Sequence, residues 1–502
     1  MSQLATLAAE ALSRDPACPA IEFEARTFTW GDMRRVADEL AAALAASGVA
    51  AGSPVVFLPR NRPSAIAALL GLIARDRTTR MAYPFQAPAS VARDMRRLQP
   101  AVVVAAREDF SPELVAELRA QGAAGIALTE MHAAAVSGLE RAGRTAAAAA
   151  SAEPQLEILT SGTTGPPKQF AVRFDVIAQH YLAGMPKSAI ETAPAATQPP
   201  PPLLYFPVSN ISGVYTTLPA LIRAGFVILL DRFDLAAWHR YVLRYQPAIF
   251  GLPPAGVQMI LDANLPKEDL ACIQALGTGA APLDPTVQRN FEARYGIPIL
   301  LSYGATEFVG PVSAMTLELF RQYGYAKTLS CGRPMPGAKL RVVNAETGGE
   351  LPPGQEGLLQ VVSPRIGPDW IQTADIAVID ADGFLFHRGR ADGAIMRGGF
   401  KVLPETIERA LLLHPAVAVA AVTGVPDHRL GQVPGAAVQL RPEAAAPSVA
   451  ELERHVREHV PATHVPAHWR IVEHMPRTVS MKVDRAALRT LFPGAPASPT
   501  GR

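Results

Sequence analysis

The chain has 502 residues, 49% of them hydrophobic and 18% charged, with a formal net charge of +2. That length supports two or more domains with an ample core, and the composition excludes a disordered chain. The charge balance gives no reason to expect a nucleic-acid or membrane-surface partner, and no apolar run reaches the ~20 residues of a membrane span.

In chain order, "MSQLATLAAEALSRDP" reads as an amphipathic helix and not a signal peptide, because it carries acidic residues and no long apolar run. "FTWGDMRRVADELAAALAASGV" spaces Met33, Val36, Leu40, Ala43 and Leu44 as one helix face and stops at Gly48. "SPVVFLP" is a buried strand, "PSAIAALLGLIARD" a helix with Pro63 near its start, and "PAVVVAAR" another strand. Strands alternating with helices predict a layered α/β fold with a largely parallel sheet. "RTAAAAASAEP", residues 144–154, reads as an exposed connection, and "PAATQPPPPLL", 194–204, as a stiff surface loop without regular structure.

The alternation resumes with "GFVILLD", "LAAWHRYVLRYQP", "AIFGLPP" and "IPILLSYG". From about residue 330 short runs such as "AKLRVVN", "EGLLQVVS" and "IAVIDADGFLFHRGR", broken by Gly, Pro and Asp-Gly, predict an antiparallel, barrel-like module. After Arg390 the texture changes again. "LPETIERALLLHP" and the Ser448-capped "SVAELERHVREHV" are helices, while "VAVAAVTGV", "GAAVQLRP" and "HWRIVE" are strands. This last part has the size of a small separate domain. The three cysteines, Cys18, Cys272 and Cys331, are far apart and suggest neither a disulfide framework nor a metal site, which fits a reducing cytoplasm. The eleven histidines show no metal-ligand spacing, and His387, His414 and His428 read as isolated structural or exposed groups.

One stretch stands out. "ILTSGTTGPPKQF", 158–170, packs hydroxyls, glycines and Lys168 between apolar flanks. Glycines let backbone N–H groups approach a ligand, hydroxyls donate, and the lysine adds a mobile charge, a set suited to a nucleotide triphosphate. A P-loop needs G-x-x-x-x-G-K-[ST] opening a helix, whereas here Gln169 follows the lysine and "FAVRF" reads as a strand. By local composition alone an ordinary polar hairpin remains open.

"TSGTTGPPK", 160–168, closely resembles the signature loop of the adenylate-forming superfamily, which includes acyl-CoA synthetases, peptide-synthetase adenylation domains and firefly luciferase. Further resemblances follow in the family's order: "YGATE" at 303–307, "TAD" at 373–375, "GRADGAIMRGGFKVLPETIE" at 389–408 and "PRTVSMKVDR" at 476–485. The resemblance implies an α/β fold: a large N-terminal domain, 1–389, of layered α/β subdomains plus the small barrel-like module, then a small mobile C-terminal α/β domain, 390–502. It implies that ATP and a carboxylic acid form an acyl-adenylate, which a thiol then attacks, coenzyme A or the phosphopantetheine of a carrier protein.

Carried over residue by residue, the resemblance puts Thr160, Ser161, Gly162, Thr163, Thr164, Gly165 and Lys168 on the β and γ phosphates. Thr306 contacts the α phosphate and Glu307 binds Mg²⁺. Tyr303 and Gly304 lie at the adenine, with the backbone of Gly279, Ala280 and Ala281 along its edge. Asp375 accepts the ribose hydroxyls with help from Arg390. Lys482 bridges carboxylate and phosphate, Asp392 is the hinge, and Gly398 and Gly399 face the thiol tunnel. Asn210, Gly213 and Ser302 line the acyl pocket.

The sequence departs from the family pattern at several places. Ala374 and Met481 stand where glycines are usual, and a left-handed backbone at 481 would strain a methionine there. Asn210 replaces a histidine or aromatic, so it either meets a polar group of the substrate or pins its loop. "RDRTTRMAYPF", 75–85, is more basic than the family's apolar strand and reads as a surface variation. The resemblance thus implies a stand-alone acid–thiol ligase. The alternatives are an enzyme that loads a carrier protein or an amine, and a degenerate nucleotide-binding relative.

Overall fold

The structure, a computed structural model, describes all residues except 144–152, 161–167, 183–198, 280, 282, 392, 398–399, 428, 443, 479–480 and 493–502. Two compact units emerge: Met1–Gln246 with Ala305–Gly310, and Pro247–Gly304 with Pro311–Arg502. Among the described residues no helix is long and apolar enough to cross a membrane.

The first unit is built on a seven-stranded sheet. Its strands lie in the order His132–Ala135, Ala124–Thr129, Val102–Ala106, Val55–Leu58, Thr79–Met81, Gln155–Thr160 and Lys168–Arg173. The inner five run parallel and the two edge strands antiparallel. All four residues of Val55–Leu58 are buried, as expected of a parallel strand covered on both faces. The helix Trp30–Ala46 starts at a reciprocal Thr29–Asp32 cap and buries Met33, Val36, Leu40 and Leu44 along one stripe. It packs on the helix Pro63–Ile73, whose eleven residues are all buried. The approach is close: a Cβ on Gly71 would lie 2.7 Å from that of Ala37.

Two expectations need correction here. Leu203–Leu204, at the end of the proline-rich stretch, form a short strand parallel to Val227–Leu229, in a four-stranded sheet with Pro19–Phe23 and Arg26–Thr29. The basic stretch 75–85 is not a surface variation. Thr79 and Met81 are fully buried in the seven-stranded sheet, and Arg80 Nε meets Glu157 Oε2 at 2.5 Å across the next strand. The basic residue of this inner strand is therefore neutralised within the sheet.

The second unit contains a five-stranded sheet whose first three strands, Ile249–Gly251, Ala275–Thr278 and Ile299–Ala305, are parallel. The antiparallel module is a four-stranded meander, Lys339–Val343, Glu356–Val362, Ile371–Ile379 and Leu385–Arg390. The residue-390 boundary falls at the end of this last strand, and both sides of it lie in the second unit. Beyond it, Val417–Asp427 pairs with Gly431–Leu440. Alternation along the first of these sends Ala420 and Val422 to one apolar cluster and Ala421 and Val425 to another. The helices Pro404–Leu412 and Val449–His459 contribute Ile407, Leu411, Leu452 and Val456 to the first, and the helix Arg485–Thr490 contributes Leu488 to the second.

Buried Asn61 fixes the segment that leads to Asn210. Its Nδ2 donates to the carbonyls of Phe206 and Leu230, and its Oδ1 accepts from Val208 N–H. Asn61→Ala should therefore cost about 3 kcal/mol of stability or more, because buried backbone groups lose their partners. Urea unfolding of the two proteins checks this, and a loss below about 1 kcal/mol would refute it.

Candidate active site

In the second unit the predicted residues gather where the parallel strands end. The carboxyl ends of parallel strands are where open α/β sheets bind ligands. Gly279 follows Ala275–Thr278, and Ser302 and Tyr303 lie in the neighbouring Ile299–Ala305. A Cβ on Gly279 would lie 2.4 Å from Ser302 Oγ and 3.0 Å from its carbonyl oxygen, so a side chain there would close the gap between the two strand ends. Ser302 Oγ reaches Thr278 O at 3.4 Å, and buried Thr278 Oγ1 has no hydrogen-bond partner among the described residues. A buried, unpaired hydroxyl at a strand end is the kind of group a ligand satisfies. Sequence reasoning did not single it out. Ala281 lies in the same segment, and Ala280 is outside the described residues.

Asp375 is the centre of this half of the site. Its side chain is only 10% exposed. Tyr303 Oη donates to its Oδ2, and His387 Nε2 and Arg390 Nη1 approach Oδ1 at 3.3 and 3.4 Å. Burial pushes this carboxyl up, but hydrogen bonds from His387 and Tyr303 and the charges of His387 and Arg390 outweigh it and hold the group below the usual aspartate value. The same burial, with the Asp375 charge, pushes the Tyr303 phenol far up, so it stays a neutral donor. Thr373 fixes the backbone beside it: Asp375 N–H donates to Thr373 Oγ1 (3.0 Å), which donates to Leu359 O (2.7 Å).

His387 was expected to be isolated. The structure corrects this: it bonds Asp375 and stacks on Tyr303, ring centres 5.9 Å apart. The cause is register. Asp375 pairs with Arg390 and Ile376 with Gly389, but a one-residue shift then pairs Ala377 with His387. Side chains alternate along a strand, so the bulge turns His387, and not Arg388, to the face that carries Asp375. Nothing in the spacing of "TAD" and "FHRGR" announces it.

Lys482 sits in a tight turn. Thr478 N–H donates to Lys482 O (2.7 Å), Met481 N–H to Thr478 O (2.9 Å) and Asp484 N–H to Pro476 O (2.9 Å), and Arg477 Nη1 donates to Met481 O (2.8 Å). Asp484 then caps the helix Arg485–Thr490. Arg485 Nη1 reaches Glu408 Oε1 (2.8 Å) and Val422 O (2.7 Å), which ties the turn to the core of its unit. The Lys482 side chain is exposed and makes no hydrogen bond or ion pair among the described residues. Met481 has φ +62°, the left-handed conformation in which a glycine is at ease.

In the first unit, Thr306 and Glu307 form a 3-10 turn immediately after the strand that carries Tyr303. Glu307 is exposed and makes no hydrogen bond or ion pair among the described residues, which suits a hard cation. The turn is held from below: Val309 closes it at φ +57°, and buried Tyr181 Oη donates to Val309 O (2.9 Å). Thr160, the last residue of one strand, pairs with Lys168, the first of the next and antiparallel one, so strand–loop–strand is the observed setting. Ser161, Gly162, Thr163, Thr164 and Gly165 between them lie outside the described residues, as do Asp392, Gly398, Gly399 and His428. Gly304 is in place on the Ile299–Ala305 strand.

Asn210 stands at the first position of the helix Ile211–Pro219 but does not cap it; its amide nitrogen bonds nothing among the described residues, and its Oδ1 only accepts from Ser209 Oγ at 3.4 Å. Gly213 has a packing reason of its own, since a Cβ there would fall 2.1 Å from Pro207 O.

Within the second unit, a buried carboxylate held by a phenol, an imidazole and a guanidinium beside the ends of parallel strands is chemically suited to accept hydroxyl donors of a ligand. Family models go further: residues 8–368 match the AMP-binding enzyme family and 406–482 its C-terminal domain. The chain belongs to this adenylate-forming family, as an acyl-CoA-synthetase-like ligase. It is 28% identical to 4-coumarate–CoA ligase 5 of Oryza sativa subsp. japonica, over 96% of this chain and 93% of that one. It is 31% identical to sulfoacetate–CoA ligase of Cupriavidus necator, over 67% and 66%. ATP-bound MatB from Rhodopseudomonas palustris has the same fold, with a TM-score of 0.79 at 22% identity over 98% of this chain and 99% of that one.

The strained turn makes a direct prediction. Met481→Gly should stabilise the protein by up to about 1 kcal/mol, because relief of the left-handed methionine outweighs glycine's added chain entropy. Thermal unfolding measures it, and a destabilised variant would show that the turn holds methionine without strain.

Proposed function

We propose that this chain joins ATP to a carboxylic acid bearing a second polar group, and passes the acyl group to the thiol of coenzyme A. The observation that carries the reading is the Asp375 constellation, a buried anionic acceptor of the kind a ribose diol requires, in a chain of the AMP-binding family. In the first step a substrate carboxylate oxygen attacks the α phosphorus and the bond to pyrophosphate breaks. In the second, the thiol sulfur attacks the acyl carbonyl, AMP leaves with the bonding pair, and the thiol proton passes to solvent.

Each residue has a task in this reading. Two anions meet in the first step, so the site must neutralise charge and hold geometry. The Lys482 ammonium, which has no ion pair among the described residues, supplies the charge between carboxylate and α phosphate. Thr306 positions that phosphate, and segment 160–168 holds the β and γ phosphates. Mg²⁺ on Glu307 would offset phosphate charge. Domains 1–389 and 390–502 turn about Asp392 after adenylation, which withdraws Lys482 and presents Gly398 and Gly399 to the thiol. The unused amide of Asn210 favours contact with substrate over loop pinning, since Asn61 already does the pinning. 4-coumarate and sulfoacetate, named for two relatives, each carry a polar group besides the reacting carboxylate.

Asp375 also sets a competition. A carboxylate offers about four acceptor positions, and three donors already use it. A ribose diol brings two more, so the Tyr303 hydroxyl must yield. Tyr303→Phe should therefore keep or improve ATP affinity, while Asp375→Asn should lose about tenfold or more. Because its pKa is depressed, the Asp375 contribution is present at neutral pH and fades as pH falls through that lowered value. Fluorescence titration with ATP from pH 7 down to about 3, below the usual aspartate value, tests both; weaker binding by Tyr303→Phe would sink the competition.

The decisive assay is pyrophosphate release with ATP and Mg²⁺ across aliphatic, hydroxylated and sulfonated carboxylates, with and without coenzyme A. A thioester from a polar acid supports the proposal, and release without thioester argues for a carrier or amine acceptor. Lys482→Ala should slow the first step about 100-fold or more at nearly unchanged ATP affinity. A normal first step in that variant would refute the role given to this lysine.

A further inference from the structure

The sequence shows no metal-ligand spacing among its histidines at first reading, but the fold corrects this in one place. "HVREH", 455–459, lies in the helix Val449–His459, so His455, Glu458 and His459 are spaced i, i+3 and i+4 and share one face. One donor atom from each lies within 4.8 Å of the others. We propose that this face is a binding site for a divalent transition cation of the zinc class, held by His455, Glu458 and His459 and separate from the ligase chemistry.

The hydrogen bonds around the two imidazoles support it. His455 Nε2 lies 3.0 Å from Ala410 O on the neighbouring helix Pro404–Leu412. A carbonyl only accepts, so this nitrogen carries the proton and Nδ1 keeps its lone pair. His459 Nδ1 lies 2.8 Å from His455 O, which by the same reasoning leaves the lone pair on Nε2. An imidazole whose far nitrogen donates to a carbonyl is oriented and in the tautomer a metal needs. His414 steadies the pair without joining it. Its ring meets that of His455 edge-on at 5.0 Å, and its Nδ1 is taken by Ala416 N–H at 3.2 Å.

The charge pattern agrees. Arg457, one residue away, pairs with Glu453, and Glu458 makes no ion pair among the described residues. Two nitrogens and one carboxylate select Zn²⁺, Ni²⁺ or Cu²⁺ over Mg²⁺ and Ca²⁺, which take oxygen donors. Three protein ligands leave further positions to water, as at an exposed site.

The test is equilibrium dialysis of the full-length, tag-free chain against ZnCl₂ in a chelating buffer. One Zn²⁺ should bind per chain. His459→Gln should weaken binding about tenfold or more, and Glu458→Gln should weaken it less. His474→Gln, which removes an exposed histidine outside this helix, should change nothing. Adenylation by the variants should match that of the unaltered enzyme, which also shows that they fold. Equal zinc binding by His459→Gln and the unaltered chain, or binding below one ion per chain, would overturn the proposal.

Discussion

A buried carboxylate without partners is too costly to keep ionised, so the cleft depends on how Asp375 is compensated. Its three donors come from different places: a phenol from the end of a parallel strand, an imidazole and a guanidinium from the antiparallel meander. Meeting at one carboxylate fixes the two sheets against each other within the second unit. It also places Tyr303, Gly279 and Ser302 about a common strand-end edge. Asp375 is therefore a structural joint between the two sheets.

The Lys482 turn follows a different logic. Asp375 is surrounded by partners, whereas the Lys482 side chain has none among the described residues while the backbone beneath it is tied down at Thr478, Met481 and Asp484. The left-handed methionine shows that the turn's shape is kept even where the residue type disfavours it. Glu307 repeats the pattern, a carboxylate with no partner among the described residues, on a short turn whose closing residue is anchored by the hydroxyl of Tyr181.

Much of this was legible in the chain. Periodicity located the helices Trp30–Ala46, Pro63–Ile73 and Val449–His459, and apolar runs located the strands Val55–Leu58, Val102–Ala106 and Ile299–Ala305. These signals are local, set by alternation and by which face must leave water, so one sequence suffices. The motifs also pointed to Tyr303, Asp375 and Arg390 before any geometry was known. The basic segment 75–85 was misjudged because its apolar content is low. Burial there depends on the pairing of Arg80 with Glu157, 77 residues on, which no local pattern contains.

The sequence by itself therefore determined the family and the order of elements, since each rests on patterns within short segments. The tertiary structure alone decided which groups meet. A one-residue shift between Ile371–Ile379 and Leu385–Arg390 brings His387, and not Arg388, to Asp375. Packing of Val449–His459 on Pro404–Leu412 sets His455 by the carbonyl of Ala410. Strand register and helix contact are settled by the whole core at once, and so they cannot be read from the residues they bring together.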